Sequence, residues 1–326
     1  MTGGEIAALP WPAAAPEPLP SMNQSFRQLV AALPRAARPL ARRLPHRLGL
    51  TAARDGQFED FVTFEPNRNL PDFAVAGVAG VTGAVSPDSE LLRRFRRAHH
   101  YGAFFWLVRD RLADDQTAPD RELEQLGDLL FQHWALAMEE AARDVELARA
   151  VIGDATARWR VGTADEKRAL RDRTITPAYH AATVTRKLDW ITSAARMLLA
   201  AAGEPERARL FQRAYDCFLL GLQCIDDVSD EAEDRTLRGC SVPEALGCSP
   251  GALLRAAPKL VSRAAGLASE GGFARLAAWM STFSRAIEAW RLEGDPVAHE
   301  MEAIALIGQM GADLDGPPDQ PGDYLS

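Results

Sequence analysis

The chain has 326 residues, of which 47% are hydrophobic and 25% are charged, and this composition is typical of a folded globular protein. Its 45 acidic residues outnumber its 37 basic residues, and the resulting net charge of −8 excludes a protein that binds nucleic acid over its whole surface. The four cysteines lack the close spacing of a zinc knuckle, so we expect free thiols. We expect a cytoplasmic protein, because the first residues do not have the pattern of a secretory leader.

The N-terminal part of the chain is predicted to contain an arm and a basic segment. Residues 1–21 are rich in Pro and Ala and predict a disordered arm. Residues 22–85 are predicted to pack on the rest of the chain, and residues 27–47 contain six arginines and no acid. Prolines interrupt this stretch and forbid one continuous helix. Two interpretations stay open for residues 27–47: helices that only pack on the domain, or a weak contact with an anionic membrane.

Residues 86–312 are predicted to form one helical domain, followed by a disordered acidic tail over 313–326. Ser86 is a candidate N-cap for a first helix that ends near the aspartates at 114–115. The further predicted helices cover 119–153, a shorter one that opens at a capping box at 163–166, 177–203, 205–234, 250–268, 271–293 and 296–311. No alternating pattern of useful length predicts a strand, so the expected fold class is all-α.

The stretch QCIDDVSDEAED, residues 223–234, concentrates negative charge at the end of an apolar helix. Asp226, Asp230 and Asp234 are spaced by four residues and therefore line one helix face, while Asp227 is offset by one. Leucines occupy the same face earlier in the helix, which predicts that this face looks into the bundle. We call these four residues the second ladder. Like charges at this spacing repel each other and oppose the helix dipole, and such local conflicts indicate a functional site.

A similar cluster, the first ladder, ends the earlier stretch FFWLVRDRLADD. Asp110 and Asp114 are four residues apart, and Asp115 is next to them. Their face also continues an apolar stripe near a helix C-terminus. Either cluster alone could be a solvated acidic face. Two such clusters together favour a site, and we predict that they face each other across a cavity.

The ligand chemistry of both ladders favours magnesium. Carboxylates with few nearby histidines suit Mg²⁺ better than zinc, and Mg²⁺ keeps several waters and bridges to phosphate oxygens. A calcium-binding EF-hand loop is excluded, because Ala232 and Arg238 stand where it needs Gly and Glu. Carboxylates beside apolar stripes therefore predict a receptor for a molecule with a phosphate head and a hydrocarbon tail. The predicted metal ligands are Asp110, Asp114, Asp115, Asp226, Asp227, Asp230 and Asp234.

These motifs resemble those of the class I isoprenoid synthase superfamily. LGLQCIDDVSD is similar to the second aspartate-rich motif of trans-prenyltransferases, Q-x-x-D-D-x-x-D, with Gln223 in place. QCIDDVSDEAED also resembles the second motif of squalene and phytoene synthases and fits the spacing of the metal-binding triad of terpene cyclases. DRLADD resembles the first motif of squalene synthases, although Ala113 replaces an acid. The resemblance covers about residues 90–240.

The resemblance implies an isoprenoid-synthase-like helical bundle with a central active-site cavity. It implies Mg²⁺, as three ions bound together with a diphosphate, and it is compatible with a homodimer. The implied diphosphate-binding residues are Arg109, Arg186, Lys187 and Arg235. The candidate pocket residues are Phe105, Trp106, Tyr179, Trp190, Phe218, Leu219, Leu222 and Gln223. For the aromatic residues plain core packing stays open, and for Arg109 so does a role as a salt-bridge partner.

Departures from the family pattern narrow the expected reaction. Chain-elongating synthases have a Gly-Lys-Arg-type patch before the first motif and an Arg-Arg pair after it, and this chain has neither. The sequence therefore favours Mg²⁺-dependent ionisation of one C15 or C20 allylic diphosphate, followed by cyclisation or rearrangement, as in a class I terpene synthase. Two alternatives stay open: a prenyltransferase that couples or elongates isoprenyl diphosphates, and a non-catalytic helical partner subunit.

Overall fold

The computed structural model describes residues 21–49, 74–75, 77–78, 90–114, 117, 120–173, 175–288 and 296–314. The regular secondary structure of these residues is helical, without a strand, which confirms the all-α class. The predicted arm, the boundary at 85–86, most of the tail and Asp115 lie outside the described residues. The helices are α1 Met22–Ala32, α2 Arg38–Arg42, α3 Leu44–Arg47, α4 Glu90–Ala113, α5 Arg121–Ala142, α6 Val145–Asp172, α7 Pro177–Lys187, α8 Trp190–Ala201, α9 Pro205–Ser229, α10 Glu231–Arg238, α11 Val242–Leu246, α12 Pro250–Glu270, α13 Ala274–Glu288 and α14 Pro296–Leu314.

Several helix starts follow from local signals that the sequence shows. The Thr176 side chain accepts the backbone N–H of Tyr179, and Pro177 occupies the first turn of α7. Ser249 caps α12 in the same way, again with a proline directly after it. The predicted starts of α7, α9 and α12 are therefore confirmed.

The predicted helix over 119–153 and the predicted capping box at 163–166 are both wrong. Helix α5 ends before Arg143, which has φ 55°. The Asp144 carboxylate then accepts the backbone N–H of Leu147 at the start of α6. Helix α6 then runs through residues 153 and 163–166 without interruption. Glu166, the acid of the proposed capping box, pairs with Lys187 instead, and its neighbour Asp165 is buried and forms ion pairs of its own.

Two longer predicted helices are each divided. The helix predicted over 177–203 ends at Lys187, and Asp189 at the break is buried with its carboxylate 3.3 Å from Arg158 Nε. The helix predicted over 205–234 bends at Asp230. Backbone hydrogen bonds still join Asp230 N to Asp226 O (2.9 Å) and Asp234 N to Asp230 O (2.8 Å). The second ladder therefore keeps its four-residue spacing through the bend.

The chain divides into two compact units. Of the described residues, the first unit, which we call the α9 unit, comprises 154–173, 175–190, 205–288 and 296–314. In it, α9 packs on α12, α12 packs on α13 and α14, and α7 also packs on α14. Its core includes an aromatic cluster formed by Tyr215, Phe218, Trp279 and Phe283. The unit contains the second ladder and the two basic residues at the end of α7.

The second compact unit, which we call the α4 unit, comprises the described residues between 21 and 153, together with 191–204. Here α4 packs on α5 and on α1, and α2 packs on α5. Residues 22–47 of the basic segment form three short helices, as the interrupting prolines predicted. In the part of the chain that the structure describes, no helix is long and apolar enough to cross a membrane.

Candidate functional site

The second ladder has one inward carboxylate and one outward carboxylate at the end of α9. Asp227 is 5% exposed, whereas its neighbour Asp226 is exposed and Asp230 is half-buried. Asp234, on α10, is 8% exposed. Asp226, which the sequence places on the inward stripe, is accessible to solvent, and the most buried carboxylate at the end of α9 is Asp227. The exposed Asp226 carboxylate is accessible to a hydrated ligand.

Two side chains contact the buried carboxylate of Asp227. Gln223 Nε2 donates to Asp227 Oδ1 at 2.8 Å and also lies 3.2 Å from Asp226 Oδ2. His180 Nε2, on α7, lies 3.1 Å from Asp227 Oδ2, although the two atoms do not have the angle of a hydrogen bond. His180 is buried as well. Asp227 therefore joins α7 to α9 and is less accessible to a metal than the other carboxylates of the second ladder.

Asp234 lies among like charges. The pKa of Asp234 is raised to about 6, chiefly by burial; Arg238 opposes the rise, and the negative charges of Asp227, Asp230 and Glu166 add to it. The Arg238 guanidinium is 3.3 Å from Asp234 Oδ1. Carboxylates crowded in this way are stabilised by a bound cation, which would offset their mutual repulsion.

The two basic residues at the end of α7 face an acidic pair on α6. Lys187 Nζ donates to Glu166 Oε2 at 2.9 Å, and the two side chains are 13% and 17% exposed. Arg186 Nη1 lies 3.3 Å from Asp165 Oδ2. The sequence interpretation missed both acids, because TADE has the form of a capping box. Each acid is 21 positions before its basic partner, and the pairing can be recognised only once α6 is known to pack on α7.

The other residues proposed for this unit have different surroundings. Arg235 is exposed and pairs with Glu231 and Glu244, at 2.7 Å each, so its charge is already balanced at the surface. The Tyr179 hydroxyl lies 3.0 Å from Arg168, and the ring packs beside a small apolar cluster. Phe218 and Leu219 are buried, whereas Trp190, Leu222 and Gln223 are half-buried.

The first ladder ends α4 in the α4 unit. Asp110 and Asp114 are half-buried there. Arg109 pairs with Asp128 at 2.5 Å, and its guanidinium lies 5.6 Å from the centre of the Phe105 ring. These contacts support the salt-bridge interpretation of Arg109. That the two ladders face each other stays a prediction.

Two of the proposed pocket aromatics belong to a packed cluster. Phe105 and Trp106 are buried, and both contact Trp134, with ring centres 5.7 Å apart in each case. Phe131 contacts the same group at 5.2 Å from Phe105. This arrangement supports core packing for these two residues.

The donor atoms of the second ladder fit a magnesium ion only in part. Within the described ranges, no three His, Cys, Asp or Glu side chains are grouped closely enough to hold a metal by themselves. The donors are nevertheless hard oxygen ligands with excess negative charge, and Mg²⁺ in proteins keeps several waters and bridges to phosphate oxygens. The carboxylates thus fit Mg²⁺ that arrives with a phosphate-bearing ligand.

The helical architecture shares its fold with a solved polyprenyl synthetase, which agrees with the resemblance at the level of the fold. A solved polyprenyl synthetase from Streptomyces coelicolor A3(2) matches this chain with a TM-score of 0.52 and 18% sequence identity, over 92% of this chain and 93% of that chain. No protein-family model and no curated protein matches the chain.

Proposed function

We propose that this protein is an isoprenoid synthase that binds an allylic isoprenyl diphosphate together with Mg²⁺ and ionises it. The observation that carries this proposal is the second ladder, which the fold sets beside the Glu166–Lys187 pair. The crowding of its carboxylates, which raises the pKa of Asp234, costs stability. A site for a cation-bound diphosphate accounts for both features.

The residues of the α9 unit divide into separate proposed roles. Asp226, Asp230 and Asp234 would hold Mg²⁺, and Asp227 would keep α7 and α9 together. Bound Mg²⁺ would supply positive charge that stabilises the departing diphosphate. Lys187 contacts Glu166, which acts electrostatically on Asp234, and the charge of Lys187 would add to the stabilisation of the same group. Half-buried Leu222 and buried Leu219 continue the helix toward the apolar interior, where a hydrocarbon chain would avoid water.

Two reactions remain candidates after ionisation. Two arginines upstream of the first ladder already pair with acids, so they are less available to bind a second diphosphate. This favours cyclisation of a single C15 or C20 substrate. Arg93 pairs with Glu90, and Arg97 pairs with Glu140. A second diphosphate would need such positive charge for itself. The name of the structural neighbour, a polyprenyl synthetase, instead favours a prenyltransferase, which joins two isoprenyl diphosphates.

The deciding experiment supplies one substrate or two. The purified protein is incubated with Mg²⁺ and a C10, C15 or C20 allylic diphosphate, first alone and then with labelled isopentenyl diphosphate. Hydrocarbon or alcohol with the carbon number of the single substrate supports a cyclase, whereas a product with twice that carbon number supports a coupling prenyltransferase. Label in a longer chain, without any product from the single substrate, establishes a prenyltransferase. If no substrate is turned over and none binds in the presence of Mg²⁺, the proposal fails and a non-catalytic partner subunit is favoured.

A further inference from the structure

We propose that Glu166 makes diphosphate binding conditional on a divalent cation, because it neutralises Lys187 in the metal-free protein. The inference rests on the proposed function and adds a residue that the family motifs do not include. In this role Glu166 neither touches the substrate nor serves as a metal ligand. It decides whether the charge of Lys187 is available to an anion.

The close packing of α6 on α7 holds the two side chains together. At Gly162, an added Cβ would lie 2.7 Å from Lys187 N and 3.0 Å from Thr183 O, so the two helix backbones nearly touch there. Glu166 is one helical turn after Gly162 and therefore lies on the same face of α6. The resulting contact at 2.9 Å is mostly buried, and water screens it much less than an exposed pair.

The charged groups around the Glu166–Lys187 pair are predominantly negative. Glu166 acts electrostatically on Asp234, together with Asp227 and Asp230. Lys187 balances one of these charges, and Arg238 is paired with Asp234. A diphosphate without its metal would therefore approach carboxylates that repel it, and Lys187 is already paired with Glu166. A diphosphate that arrives with Mg²⁺ brings the cations that the carboxylates attract.

The consequence is selectivity for the metal-bound form of the ligand. Removing the charge of Glu166 while keeping its shape, as in Glu166→Gln, removes the negative charge that Lys187 contacts at 2.9 Å. The variant should then bind diphosphate without metal more tightly than the natural protein does. A hydrogen bond to a charged group is worth enough to predict a gain of roughly tenfold to a hundredfold.

The experiment measures binding of inorganic pyrophosphate by calorimetry, once in excess chelator and once in saturating Mg²⁺. The natural chain should bind pyrophosphate only with Mg²⁺, and Glu166→Gln should show the predicted gain in chelator. Adding Lys187→Gln to that variant should abolish the gain. Glu206→Gln removes an equal charge from an exposed ion pair with Arg209 in the same unit and should behave as the natural chain.

Different results overturn the inference and the proposed function. If the natural chain does not bind pyrophosphate even with Mg²⁺, the proposed function fails. If it does, but Glu166→Gln binds no more tightly in chelator than the natural chain, only the role of Glu166 fails. Should Glu166→Gln not fold, Glu166→Asp is measured instead, since it withdraws the carboxylate from Lys187 by one methylene. If Glu166→Asp binds pyrophosphate in chelator more tightly than the natural chain, even by less than the gain predicted for Glu166→Gln, the inference is supported. If its affinity equals that of the natural chain, the inference is overturned.

Discussion

Replacing Asp234 by Asn should stabilise the metal-free protein at neutral pH. The pKa of Asp234 is about 6 in the folded protein, against an ordinary value of 3.8, mainly because the carboxyl group is buried. The folded state therefore binds this proton more tightly than the unfolded chain does. The stability that protonation contributes is fully present below about pH 4 and is lost as the pH rises through about 6.

The magnitude follows from the two pKa values. Their difference corresponds to about 3 kcal/mol at about 1.36 kcal/mol for each pKa unit, and this is an upper value because the group keeps some contact with solvent. Asn has the shape of Asp without the charge. We therefore expect Asp234→Asn to raise the free energy of unfolding by about 1–3 kcal/mol above pH 7, with no gain at pH 4.

Urea unfolding across this pH range, with chelator present throughout, measures the effect. Asp172→Asn removes an exposed carboxylate of the same unit and should change the free energy of unfolding by less than about 0.5 kcal/mol at every pH. A variant that is no more stable than the natural chain at pH 8 would refute the reasoning, since the ion pair with Arg238 would then outweigh burial and repulsion. The same substitution should abolish activity, as expected where a site trades stability for function.

Three further predictions follow from the second ladder and from α6. Asp226→Ala or Asp230→Ala should reduce turnover of the allylic diphosphate at least about a hundredfold, because transition-state charge stabilisation is lost, and steady-state kinetics measures this. Chelator should stop turnover by the natural chain, and full activity in chelator would refute the metal requirement. Gly162→Ala should lower the free energy of unfolding by about 1–3 kcal/mol in urea titrations, because α6 must move away from α7. Gly153→Ala is the matched control on α6, where no atom lies within 4 Å of the added Cβ, and it should stabilise by about 0.5–1 kcal/mol.

The sequence was sufficient for features that depend on neighbouring residues. The all-α class follows from hydrophobic periodicity, and the starts of α7, α9 and α12 follow from prolines in the first turn. The four-residue spacing of Asp226, Asp230 and Asp234 is likewise a local property, and it survives the bend at Asp230 because the backbone hydrogen bonds continue. These features would be the same in almost any packing of the helices.

The tertiary structure decided which charges meet. TADE has the local form of a helix start, yet packing against α7 keeps α6 continuous and turns Asp165 and Glu166 toward Arg186 and Lys187. Periodicity placed the second ladder on one helix but could not tell that Asp227, rather than Asp226, faces inward. Such pairings join residues about 20 or more positions apart, and their energies depend on burial. A single sequence contains the residues for them, but only the folded chain brings them together.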